Sequence, residues 1–183
     1  MEKKWDPEHL DVLSFARDAA RLEGEGALAQ WPRLAQEQFG QAEAGTGLVL
    51  WQLRGHAVAQ TGGADQIWMD LQASVRLPMQ CQRCLASVTE TVRAERSFRF
   101  VADETTAAAL DDESEEDILV FSRDFDALAL IEDELILSLP LVPMHPLCPE
   151  SPPMSAADPE FEAAAQRPNP FGVLSGLKTN KPQ

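Results

Sequence analysis

Apolar and polar residues alternate most regularly over residues 67–77. Ile67, Met69, Leu71, Ala73, Val75 and Leu77 fall on one side, and Trp68, Asp70, Gln72, Ser74 and Arg76 on the other. Side chains of a strand alternate with period two, so this run predicts a half-buried β-strand. Pro78 marks its predicted end, because proline has no amide hydrogen for a sheet ladder. Residues 88–101 carry Val92, Ala94, Phe98 and Phe100 on one face, with Glu90 and Arg96 interrupting the pattern. Upstream, residues 47–59 read as a strand in which Val49, Trp51 and Leu53 share a face, and Thr61-Gly62-Gly63 supplies turn chemistry. Three strands joined by short links predict an antiparallel meander.

Helical spacing governs two other stretches. Asp6-Pro7-Glu8 is a helix start, with Asp6 as N-cap and Pro7 at the first helical position. Leu10, Leu13, Ala16 and Ala20 follow at helical spacing, and Gly24 ends the predicted helix. Residues 24–30 then read as a short edge strand, and Trp31-Pro32-Arg33-Leu34 opens a helical turn running to Phe39. Residues 118–121 can add one more strand. Asp124 is placed to cap a helix over 125–139, with Leu128, Ile131, Leu135 and Leu139 on one face and Glu132, Asp133 and Glu134 mainly off it. Pro140 and Pro143 end that helix. The fold class is therefore α+β: an antiparallel sheet, of a kind that can curl toward a barrel, with flanking helices and a flexible C-terminal tail. Residues 1–148 form the single domain of this reading, with an acidic loop at 102–117. A linker covers 149–167, and a docking segment covers 168–183, where Phe171, Leu174 and Leu177 recur at three-residue spacing.

Composition narrows the classes. The chain has 183 residues, 44% of them hydrophobic, which suits a globular protein with a core. No apolar run approaches the roughly 20 residues that span a bilayer, and the first residues lack a secretory signal pattern. The expectation is a cytoplasmic protein with no membrane role. The formal net charge of -15 opposes general coating of nucleic acid. That charge is uneven. Residues 102–117 hold eight acids and no base, whereas residues 66–101 hold five arginines against three acids, a net of +2. Trp68, Arg76, Arg93 and Arg99 share the polar face of the predicted hairpin, and Arg83 sits in its bend. Arginine forks onto phosphate and stacks, and an aromatic platform suits unpaired bases. These residues, with Phe171 and Leu174 in the tail, are the candidates for RNA or partner contact. The competing reading is an ordinary solvated sheet face, with a tail folded back on the core.

The cysteines add chemistry. There are three, an odd number that argues against a disulfide framework. Cys81-Gln82-Arg83-Cys84 lies at the hairpin bend, and Met144-His145-Pro146-Leu147-Cys148 follows the second helix. Cys81, Cys84, His145 and Cys148 make two ligand pairs and a Cys₃His set suited to tetrahedral zinc in a structural role. The pairs lie roughly sixty residues apart, beyond zinc-finger spacing, so the fold must bring them together. A CxxC is also a thiol oxidoreductase motif, but those motifs open a helix in a βαβ setting, and the residues after Cys84 lack a helical pattern. His9 and His56 have no nucleophile elbow or phosphate loop nearby, so no catalytic constellation is visible.

Three segments together resemble the YceD family of bacterial large ribosomal RNA subunit accumulation proteins. They are Cys81-Gln82-Arg83-Cys84-Leu85, the helix and exit from Glu132 to His145, and Pro168-Asn169-Pro170-Phe171-Gly172-Val173-Leu174 with Leu177-Lys178. Their order and spacing extend the resemblance over most of the chain. It implies a non-catalytic role in synthesis, processing or stability of 23S ribosomal RNA and in large-subunit biogenesis. The implied partners are 23S rRNA or the pre-ribosomal large subunit. A basic ribosomal protein is also implied, because the family gene commonly neighbours one. The alternative is a chaperone for that basic protein. Many members carry more cysteines at the second knuckle than the HxxC found here. No catalytic residues carry over.

Overall fold

The alternating run becomes the centre of a five-stranded sheet. The computed structural model describes residues 4–41, 44–111, 114, 116–150 and 171. Strands β1 (Arg21–Ala27), β2 (Leu48–Val58), β3 (Gln66–Gln80), β4 (Ser87–Val101) and β5 (Asp117–Val120) lie side by side in sequence order. The first four are antiparallel neighbours, and β2, β3 and β4 are the predicted meander. β5 departs from that expectation and runs parallel to β4. A parallel neighbour needs a crossover, and the acidic stretch supplies one through helix α2 (Glu104–Asp111), none of whose residues is fully buried. The sheet is open and not a barrel. β1 pairs along Leu48–Arg54 of β2, whereas β5 pairs with Phe98–Val101, opposite the other end of β2. The two edge strands share no row and do not pair with each other.

One face of the sheet is core. Val49, Leu53, Met69, Leu71, Leu77 and Phe98 are almost fully buried there. Helix α1 (Val12–Arg17) packs on β2 at Gly55, where a Cβ would stand 2.6 Å from the Phe15 ring and 2.8 Å from the Ala16 backbone. Only glycine permits that approach. Helix α3 (Ala127–Leu137) buries Ile131 and Leu135 against β3 and β4.

Local chemistry shifts several predicted boundaries. β3 does not stop at Pro78. The Pro78 carbonyl accepts from the Phe39 amide at 2.8 Å, on the side facing away from β4. A strand residue directs its nitrogen and carbonyl to the same side, so the missing amide hydrogen costs the β3–β4 ladder nothing. α1 begins at Asp11, whose carboxylate accepts from the Ser14 amide at 3.1 Å, and not at Asp6. Leu10 instead exchanges backbone hydrogen bonds with Phe125, which keeps it out of the helix. Ala19, at φ 46, ends the helix and sends the chain into β1 by Arg21. After β1, residues Leu28–Gln30 and Leu34–Glu37 are 3₁₀ turns, so the edge strand ends earlier than the composition of 24–30 suggests. The α3 N-cap is Asp126, and Asp124 bonds His9 instead.

No helix among the described residues is long and apolar enough to cross a membrane. The chain divides into two units, Met1–Leu147 and Cys148–Gln183, and the first holds every element named above. The predicted linker beyond Glu150 and the docking residue Leu174 lie outside the described residues, and Phe171 is exposed.

Candidate metal centre

Six residues, 81–86, carry the chain from β3 to β4. The Cys81 amide donates to the Ala86 carbonyl, and the Leu85 amide to the Cys81 carbonyl, both at 2.9 Å. Leu85 takes a left-handed conformation, φ 63, to close the turn. The Gln82 amide donates to the Pro143 carbonyl at 2.9 Å, which lashes this turn to the segment leaving α3. That segment carries His145. Its Nε2 lies 2.9 Å from the Ser87 carbonyl. A carbonyl only accepts, so Nε2 holds the hydrogen, and in the neutral ring Nδ1 offers its lone pair 3.4 Å from Cys84 Sγ.

The four candidate ligands converge. One donor atom each from Cys81, Cys84, His145 and Cys148 lies within 4.8 Å of the others. Tetrahedral zinc, with Zn–S near 2.3 Å and Zn–N near 2.0 Å, sets donor atoms about 3.5–3.8 Å apart. The set needs little adjustment to enclose a metal. A ligand histidine that donates its other N–H to a carbonyl is the arrangement that fixes ring and tautomer at metal sites. Cys81 is fully buried, and burial pushes its thiol up. The amides of Cys84, His145 and Arg83, with the Cys84 side chain, more than offset this and bring it down to about 5. Amides aimed at a sulfur favour the thiolate, the form that binds metal. All three cysteines are free thiols. Cys84 leads into a strand and not into a helix.

The candidate contact residues lie on the sheet face opposite the core. Trp68 pairs across β3–β4 with Arg99, Ser74 with Arg93, and Arg76 with Thr91. Arg76 and Arg93 are exposed, and Trp68 and Arg99 half-buried. Trp68 stacks on His56, with ring centroids 6.2 Å apart and planes at 9°. Arg83 is exposed in the cysteine turn, its guanidinium 3.9 Å from Met144 Sδ. Arg54 and His56 of β2 share the Trp68 face, through the pairs Arg54 with Asp70 and His56 with Trp68. The sequence reading overlooked both, although period two along β2 would have assigned them. The Ser87 carbonyl that orients His145 carried no signal, since every residue has one.

Residues 69–178 match the family described as large ribosomal RNA subunit accumulation protein YceD. A Haemophilus influenzae relative, named large ribosomal RNA subunit accumulation protein YceD, is 35% identical over 111 residues. The alignment covers 58% of this chain and 63% of the relative, less than two thirds of its length. No solved structure matches the chain. The family match runs from near the start of β3 through the cysteine turn, α3 and the HxxC, and takes in more than half of the residues; the chain belongs to the YceD family.

Proposed function

We propose that the protein is a non-catalytic cytoplasmic factor in the accumulation of 23S ribosomal RNA, and that Cys81, Cys84, His145 and Cys148 hold one structural zinc. The observation that carries the zinc reading is the convergence of the four donors, with the His145 Nε2–H already engaged by Ser87. Bound metal would supply cross-linking, fixing the β3–β4 turn to the exit of α3. The family relationship supports the role on ribosomal RNA. Contact with RNA is assigned to Arg76, Arg93, Arg99 and Arg83, with Trp68 as a stacking platform, because these residues share an uncovered face or its rim in an otherwise acidic chain. Protein purified without chelator should carry about one equivalent of zinc, lost in Cys84→Ser. Metal-free wild-type protein with an unchanged fold and full RNA binding would refute the zinc assignment.

A second reading has an observation of its own. The net charge of -15 suits a chaperone for a basic ribosomal protein. Changing Arg76, Arg93 and Arg99 to Glu separates the two: RNA crosslinking is lost if the sheet face binds RNA, and protein capture survives.

A further inference from the structure

Among the described residues, the core face of the sheet is incompletely covered beside α3. A groove of about 810 Å³ lies between α3 and the β4–β5 edge. Phe98, Ile118, Leu130, Ile136 and Leu137 give it an apolar lining. Leu137 is 73% exposed, and β5 has no strand on its outer side among the described residues. Contiguous apolar surface rimmed by polar residues is the character of binding grooves. Glu37, Asp111, Asp117 and Asp133 also line the groove. Its two arginines are already engaged. Arg33 pairs with Glu132 and Asp133, and Arg96 with Glu134 at 3.2 Å. Glu37, Asp111 and Asp117 have no ion-pair partner among the described residues. The resulting field acts on Glu134. Burial lifts its carboxyl, Arg96 opposes this, and Asp117 and Asp133 lift it further.

We propose that this groove docks a cationic segment of a protein partner, with an aliphatic or aromatic side chain on Ile118, Leu130 and Leu137 and lysines or arginines among Glu37, Asp111 and Asp117. Charge complementarity selects this occupant. RNA would meet uncompensated carboxylates, and a second copy of a chain with net charge -15 would set acid against acid. The inference rests on the reading of a basic protein partner, to which it adds a place and a chemistry, and it uses neither the cysteines nor the arginine-bearing face.

Fluorescence anisotropy on the full chain tests it, with a short labelled peptide of alternating lysine and leucine as probe. Control peptides replace lysine by glutamate, or leucine by serine. The lysine–leucine peptide should bind and both controls should fail. Glu37→Gln, Asp111→Asn and Asp117→Asn together should weaken binding about tenfold, from three surface charge contacts. Leu137→Gln should weaken it severalfold and leave the salt dependence unchanged. Glu23→Gln, Glu25→Gln and Glu95→Gln together, on the opposite sheet face, should change nothing. Equal losses from the two triple variants would mean attraction to bulk charge and would overturn the groove. Wild-type affinity in the groove variant would overturn it too, while sparing the basic-partner reading. Failure of the lysine–leucine peptide to bind at all would remove both.

Discussion

Glu132 carries more of the fold than its place in the sequence suggests. Its carboxylate accepts from the Arg33 amide at 2.8 Å, the Arg33 Nε at 2.9 Å and the Leu34 amide at 3.1 Å. It therefore satisfies two backbone donors at the start of the 3₁₀ turn Leu34–Glu37. Arg33 is 49% exposed, so solvent weakens the ion pair, and the backbone amides set the energetic weight. Glu132→Ala leaves those amides unpaired and should cost about 3 kcal/mol in urea unfolding. Glu132→Gln keeps one acceptor oxygen and should cost about 1 kcal/mol. Equal stability of the two variants would remove the capping role. The sequence placed Glu132 and Glu134 off the buried face, yet both are buried, with 6% of their surface exposed. Helical periodicity ranks faces by apolarity, and it cannot see that Arg33, 99 residues away in the chain, and Arg96 wait to pair with them. The cysteine pairs were legible for the opposite reason. CxxC and HxxC combine local spacing with residue types of narrow chemistry, so only their convergence needed the fold.

At the level of elements, β3 was readable because it alternates without a break from Ile67 to Leu77, and β2 and β4 keep part of the same period, Val49, Trp51 and Leu53 in one and Val92, Ala94, Phe98 and Phe100 in the other. α1 was not. Asp6-Pro7 and Asp11 are both sound helix starts, and tertiary pairing of Leu10 with Phe125 decides between them. A side-chain bond next to that bridge makes the junction sensitive to pH. His9 Nδ1 lies 2.6 Å from Asp124 Oδ1, and this hydrogen bond, then the Asp124 charge, raise the His9 pKa above 6.5. A histidine raised by folding adds stability that is complete below its unfolded pKa and is lost as pH rises through the folded value. The contribution should therefore fade as pH climbs from about 6.5. Both side chains are exposed, so the effect is small and best read by NMR. The His9 ring should titrate above 6.5 in the wild type and return toward it in Asp124→Asn. An identical midpoint in the two proteins would mean that the pair does not hold the junction.

Across the whole molecule, two surfaces differ in charge among the described residues. Asp111 of α2, Asp117 of β5 and Glu37 of the 3₁₀ turn line the groove beside α3, while Arg21, Arg54, Arg76, Arg93 and Arg99 lie on the sheet face away from the core, interspersed with Glu23, Glu25, Asp70 and Glu95. That difference was only half legible. The excess of arginine over residues 66–101 is plain in the sequence, but Arg21 of β1 joins that face only through its register with Arg54 of β2. The arrangement would make the proposed RNA binding on that face separable into electrostatic and stacking parts. For single strands, log affinity falls with log salt at a slope of about -0.7 per phosphate neutralised. Changing Arg76, Arg93 and Arg99 to Gln should therefore flatten the slope by about 2. Trp68 is different: it is uncharged and braced by His56. Trp68→Ala should lower affinity for an unpaired 23S fragment by about 1–3 kcal/mol and leave the slope in place. Measuring both variants over a salt series decides the matter, because a bound strand tracking the arginines and stacking on Trp68 must lose slope in one variant and intercept in the other. If neither changes, RNA does not lie on this face.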